Sequence, residues 1–132
     1  MRASRGVIVV LTLLVAVPAW AQESIPPPLK AAKSAEHGTI LTGPNGMTVY
    51  TFVADKRDGR SQCNGACARK WPPLTPAAGA PVPAGALSLI TRDDGTSQYT
   101  WKGKPLYYYA DDTKPGETAG HNLGKAWFVV QP

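Results

Sequence analysis

Reactive side chains are scarce in this 132-residue chain, which holds two cysteines, two histidines and two methionines, Met1 and Met47. Its histidines, His37 and His121, are too far apart for a His-Glu-x-x-His zinc pair, and neither a Gly-x-Ser-x-Gly elbow nor a glycine-rich phosphate loop occurs. The usual hydrolytic and phosphoryl-transfer sets are therefore missing, and the chain reads as no enzyme. Covalent haem attachment needs a histidine directly after the second cysteine of a pair, but Ala68 follows Cys67. A blue-copper site takes two His, a Cys and usually a Met, which this inventory supplies only at scattered positions. No metal or other cofactor is expected, and a periplasmic redox or metal (copper or haem) binding protein stands as the alternative.

Long apolar runs are missing too. The apolar stretch Val7 to Val17 covers about half a bilayer span, too little for a transmembrane helix. Arg2 and Arg5 precede it and Ala19-Trp20-Ala21 follows. A basic start, a short apolar core and a small-x-small site predict a secretory signal over 1–21, with the mature chain starting at Gln22. Losing Arg2 and Arg5 from the 14 basic residues leaves 12 against 9 acidic ones, a charge of +3. So slight an excess excludes a nucleic-acid binder. The expected location is the periplasm or the exterior, with no transmembrane segment and one modest core.

Glycine and proline punctuate what remains, 12 of each after residue 21, leaving few windows long enough for a stable helix of about 12 residues. Residues 22–36 contain Pro26-Pro27-Pro28 and no aromatic, which predicts an extended tether. From His37 onward strands and turns alternate. Thr39–Thr42 meets Gly43-Pro44-Asn45-Gly46, where Asn45-Gly46 predicts a primed hairpin turn into the strand Met47–Val53. Leu87–Thr91, Gln98–Trp101, Leu106–Tyr109 and the closing Ala126–Val130 continue the pattern, and Cys63–Trp71 is the one short helical candidate. The expected fold is all-β: a small antiparallel domain over 37–132.

An internal repeat carries most of the information. Gly46-Met47-Thr48-Val49-Tyr50-Thr51-Phe52-Val53-Ala54-Asp55 aligns with Gly103-Lys104-Pro105-Leu106-Tyr107-Tyr108-Tyr109-Ala110-Asp111-Asp112, 57 positions later. Both read Gly-x-x-aliphatic-Tyr-x-aromatic-x-x-Asp, and the match extends to Gly59 and Gly116 and to Trp71 and Trp127. The domain is thus two copies of one β unit, about 38–74 and 87–132, each burying its aromatic face against the other. The doubled motif, with Cys63-Asn64-Gly65-Ala66-Cys67-Ala68 leading into Trp71-Pro72-Pro73-Leu74, resembles a family of bacterial lipoproteins known as secreted tandem repeats of unknown function. That resemblance covers roughly Gly38 to Pro132 and implies an exported envelope protein with no assigned activity. The family's lipobox cysteine is absent here, so a lipid anchor is not expected.

Alternate positions on a strand share a face, so Tyr50 with Phe52 and Tyr107 with Tyr109 are expected to build the core and the repeat itself. Asp55 and Asp112 fall just past their strands, where an aspartate either caps a turn or meets a ligand. Trp71, Trp127 and His121 join them as candidate ligand-binding residues; His121 in its loop equally suits a solvated position. In an exported chain Cys63 and Cys67 are expected to pair, since positions i and i+4 of a helix lie at bridging distance. The functional expectation is a non-catalytic binding or accessory module whose partner is an envelope protein or glycan.

Overall fold

The structure, a computed structural model, describes residues 6–16 and 24–132. The expected cleavage site Ala19-Trp20-Ala21 and the start at Gln22 lie outside the described residues. Residues 6–16 have no regular structure and stand exposed, and no helix among the described residues is long and apolar enough to cross a membrane.

Seven short strands and one short helix make up the domain: β1 (Lys30–Ser34), β2 (Gly38–Thr42), β3 (Tyr50–Phe52), α1 (Ala66–Lys70), β4 (Leu87–Thr91), β5 (Ser97–Trp101), β6 (Lys104–Pro105) and β7 (Trp127–Val129). A 3-10 turn at Leu123–Lys125 precedes β7. The strands form three small antiparallel sheets, β1-β2, β3-β7 and β4-β5-β6. The all-β expectation and the short helix near 63–71 both hold.

The tether does not. Lys30–Ser34 pairs with Gly38–Thr42 over five residue pairs, Leu29 is buried at 4 % exposure, and Ile25 packs on the same cluster. The segment belongs to the domain because β1 is the first copy's counterpart of β4, and Leu29 supplies apolar area that its charged neighbours do not. The strand expected over Met47–Val53 is confined to Tyr50–Phe52. The expected Leu106–Tyr109 strand survives as bridges at Tyr107, beside Tyr50 and Pro73, because Pro105 ends β6.

Turn chemistry also differs from expectation at Asn45-Gly46. Gly46 alone has positive φ there (80°), and the bonds Gly46 N–H to Gly43 O and Gly43 N–H to Met47 O close a longer loop around Pro44 and Asn45. Pro44 favours an ordinary turn, and Gly46 then takes the left-handed position after it. The same pair of bonds recurs at Arg92–Thr96 with Gly95. The two-residue primed turn is instead Lys102-Gly103, with φ of 49° and 83° between β5 and β6.

The two copies meet at a seam with pseudo-twofold symmetry. Tyr50 and Tyr107, equivalent in the repeat, exchange both backbone hydrogen bonds, at 2.8 and 3.0 Å. Around this point each interaction has a partner: Tyr50↔Val129 in β3-β7 matches the Tyr107↔Pro73 bridge, and Val53 N–H to Ala126 O matches Ala110 N–H to Lys70 O. The strand period sorts side chains into two layers across the seam. Val49 and Leu106 enter an aliphatic cluster with Leu29, Leu41, Leu74, Leu87, Tyr99, Trp101 and Val130. Tyr50, Tyr107 and Tyr109 enter an aromatic one with Cys63, Trp71 and Trp127.

Candidate functional site

The repeated motif closes on itself across the seam. Tyr50 Oη donates to Asp112 Oδ2 at 2.7 Å, and Tyr107 Oη donates to Asp55 Oδ2 at 2.6 Å. Each tyrosine thus bonds the aspartate of the other copy. The second carboxylate oxygen closes a loop seven residues on: Gln62 N–H donates to Asp55 Oδ1 at 2.6 Å, and Ala119 N–H to Asp112 Oδ1 at 2.9 Å. Both aspartates are buried, at 3 % and 7 % exposure. Burial first, and then the aspartate hydrogen bond, raises the ionisation of both phenols well beyond their ordinary 10.0. Asp112 is also pushed up, chiefly by loss of water, against the stabilising bonds from Tyr50 and Ala119. The two phenols therefore stay protonated at neutral pH.

Rings stack between the two clasps. Trp71 and Trp127 lie parallel at 3.8 Å between centroids, flanked by Phe52 on Trp127 (4.2 Å) and Tyr109 on Trp71 (4.4 Å). Tyr50 meets Trp71 edge-on at 5.4 Å and Tyr107 meets Trp127 edge-on at 5.2 Å. The ladder Phe52–Trp127–Trp71–Tyr109 therefore repeats the twofold relation, with Tyr50 and Tyr107 meeting the tryptophans in the favoured edge-on geometry. Gly120 is required here, because a Cβ would lie 2.7 Å from Trp71 Cη2 and 3.0 Å from Tyr109 Cγ.

The structure brings Asp55, Asp112, Trp71 and Trp127 together, but as interior groups. The four side chains are 3–7 % exposed; each aspartate accepts a tyrosine hydroxyl and a backbone N–H, as the turn-capping alternative describes, and the two indoles stack on one another. His121 lies elsewhere. Its ring sits 4.1 Å from that of His37 and edge-on to Phe128, and its Nδ1 accepts the Val129 N–H at 3.1 Å. Burial, then the neighbouring His37, lowers its affinity for a proton, opposed by Glu36. Cys63 and Cys67 form a disulfide with Cα atoms 5.2 Å apart, so neither supplies the thiolate that a blue-copper set would need.

Arg92, buried at 5 % exposure, was not singled out by the sequence. Its guanidinium donates to Ser61 Oγ, Gln98 Oε1, Cys63 O and Asn64 Oδ1. Ser61 Oγ lies 2.6 Å from Tyr107 Oη, so a buried chain runs from Arg92 through Ser61 and Tyr107 to Asp55. Only that three-dimensional chain distinguishes Arg92 from other cations beside an Asp-Asp-Gly turn. Past the two clasps run the loops 56–60, exposed throughout, and 113–117, exposed at 113–115 and half-buried at 116–117.

No curated protein and no solved structure matches this chain. The family model for a secreted repeat of unknown function (Lipoprotein_15) matches it twice, over residues 31–75 and 88–131. The first match starts inside β1, in keeping with that strand's place in the repeat. Twice matched, and built as two interlocked copies, the chain belongs to this family of secreted repeats.

Proposed function

We propose that this chain is an exported, non-catalytic binding module of the bacterial envelope, residing in the periplasm or outside the cell after signal removal at Gln22. Its partner meets the loops that Asp55 and Asp112 close rather than the aspartates themselves. One observation carries this reading. Every chemical group that the repeat duplicates is spent on the reciprocal clasp and the ring ladder, so the motif holds two exposed loops on a rigid scaffold. Loops fixed in this way are where β scaffolds usually meet their partners.

Capture from solubilised envelope on immobilised mature protein tests the reading. Replacing residues 56–60, or 113–117, by glycine-serine segments of equal length is expected to leave thermal unfolding nearly unchanged and to abolish capture in at least one variant. Capture that survives both replacements overturns it. Asp55→Asn and Asp112→Asn are expected to lower stability by about 1–3 kcal/mol each, as lost bonds to buried charged groups do.

A further inference from the structure

The duplication supplies its own internal comparison. Each aspartate loop leans on the glycine turn of the other copy: Arg57 lies where a Cβ on Gly103 would meet it at 3.1 Å, and Pro115 lies 3.2 Å from a Cβ on Gly46. Both loops have the same length and the same closing bonds. Charge is not duplicated. The first loop reads Lys56-Arg57-Asp58-Gly59-Arg60 and its turn Lys102-Gly103-Lys104, five cations against one carboxylate. Its counterpart reads Thr113-Lys114-Pro115-Gly116-Glu117, and the turn Gly43–Met47 has no charge at all. The second copy keeps the same scaffold with one cation and one carboxylate, so the fold does not demand the charges of Lys56, Arg60 and Lys102.

Arg57 and the Lys102–Lys104 turn are held against each other. Arg57 Nε donates to Lys102 O at 2.8 Å, and Lys104 Nζ donates to Phe52 O and Asp55 O at 2.9 and 2.6 Å. Among the described residues none of the five makes an ion pair. Exposed apolar residues follow along the backbone, beginning with Val53 three positions before Lys56. Val53 is 56 % exposed, and Leu123 is 42 % exposed two bonds away, since Val53 N–H bonds Ala126 O and Ala126 N–H bonds Leu123 O. Lys125, two positions after Leu123, is exposed as well.

The geometry points to an anionic phospholipid surface as the partner of this loop: Lys56, Arg57, Arg60 and Lys102 meet the headgroups while Val53 and Leu123 enter the interface. A soluble polyanion would use the cations but leave Val53 and Leu123 without a role, whereas a bilayer takes both. This inference rests on the reading of the chain as an envelope module and names the partner of its first loop.

Co-sedimentation of the mature protein with vesicles tests it, using phosphatidylglycerol mixed with phosphatidylcholine and phosphatidylcholine alone. Partition to the anionic vesicles only is expected, weakening as salt is raised. Arg57→Ala and Lys102→Asn are each expected to weaken it about fivefold; asparagine tolerates the positive φ at 102. Val53→Ser is expected to weaken it with charge unchanged, and Lys114→Ala in the second loop to have no effect. Unfolding temperatures of the variants confirm that each is folded. Equal partition to both vesicle types, or full partition by the Arg57 and Lys102 variants, overturns the inference. So does inorganic polyphosphate binding as tightly as the vesicles with Val53→Ser unaffected, which would assign a soluble polyanion instead. A failure here with envelope capture still loop-dependent leaves the binding-module reading standing; loss of loop-dependent capture with intact vesicle partition would do the reverse.

Discussion

Tyr50 and Tyr107 each serve the fold twice, with a ring in the aromatic layer and a hydroxyl on the other copy's aspartate. Truncation should therefore be severe: Tyr50→Ala and Tyr107→Ala are each expected to cost about 3–5 kcal/mol in denaturant unfolding, as aromatic-to-alanine changes in cores do. Phenylalanine separates the two roles. In the unfolded chain both phenols ionise near 10.0, whereas in the fold burial and the facing carboxylate keep the proton on. Stability from these groups is complete below pH 10 and falls as pH rises past it, by roughly 1.4 kcal/mol per pH unit for each phenol. Unfolding measured between neutral pH and pH 11 should show this decline, with a shallower slope in Tyr50→Phe and Tyr107→Phe. Equal slopes would refute the buried-phenol account. The tyrosines' burial was legible because two-residue periodicity states which side chains share a face. Their aspartate partners were not, since no local pattern says that a carboxylate will be met by a residue over fifty positions away in the other copy.

At the scale of elements, β1 shows how far composition misleads. Lys-Ala-Ala-Lys-Ser carries little to bury, and it lies on the edge of a two-stranded sheet, where lysines discourage further pairing. What anchors it is Leu29, just outside the strand. Leu29→Ala is expected to cost about 2–5 kcal/mol, measured by urea unfolding; an unchanged midpoint would restore the tether. The disulfide calls for a smaller effect, because it closes so short a loop. Cys63→Ala with Cys67→Ala should lose about 2 kcal/mol on the chain-entropy estimate and still fold, whereas an unfolded double variant would show that the bridge shapes α1 itself. Helix, closing strand and turn positions were readable from glycine, proline and hydrophobic periodicity. Turn types were readable only in part: Pro44 overrides the Asn-Gly preference at one site, and Lys102 accepts positive φ at another where few sequences would announce it.

For the whole molecule, the duplication was visible in the chain as a 57-residue displacement, and the manner of joining was not. The two copies neither stack nor sit side by side; each completes the other's hydrogen bonds and half of the ring ladder. A single copy would therefore leave a buried hydroxyl and carboxylate unmet, and its tryptophan would lose the indole it stacks on. The connection between them, Pro76–Gly85, is mostly exposed, with Ala80 N–H to Ala77 O as an internal bond. It acts as a leash that keeps the halves at high effective concentration and contributes little else. Cut at a protease site placed at Gly79, the mature chain should stay assembled and co-elute as one species in gel filtration, separating only in denaturant. Two independent peaks in native buffer would refute the interlock. If the halves do hold, each is a fragment that finds its complement unaided, and the protein is a ready-made split pair for exported reporters.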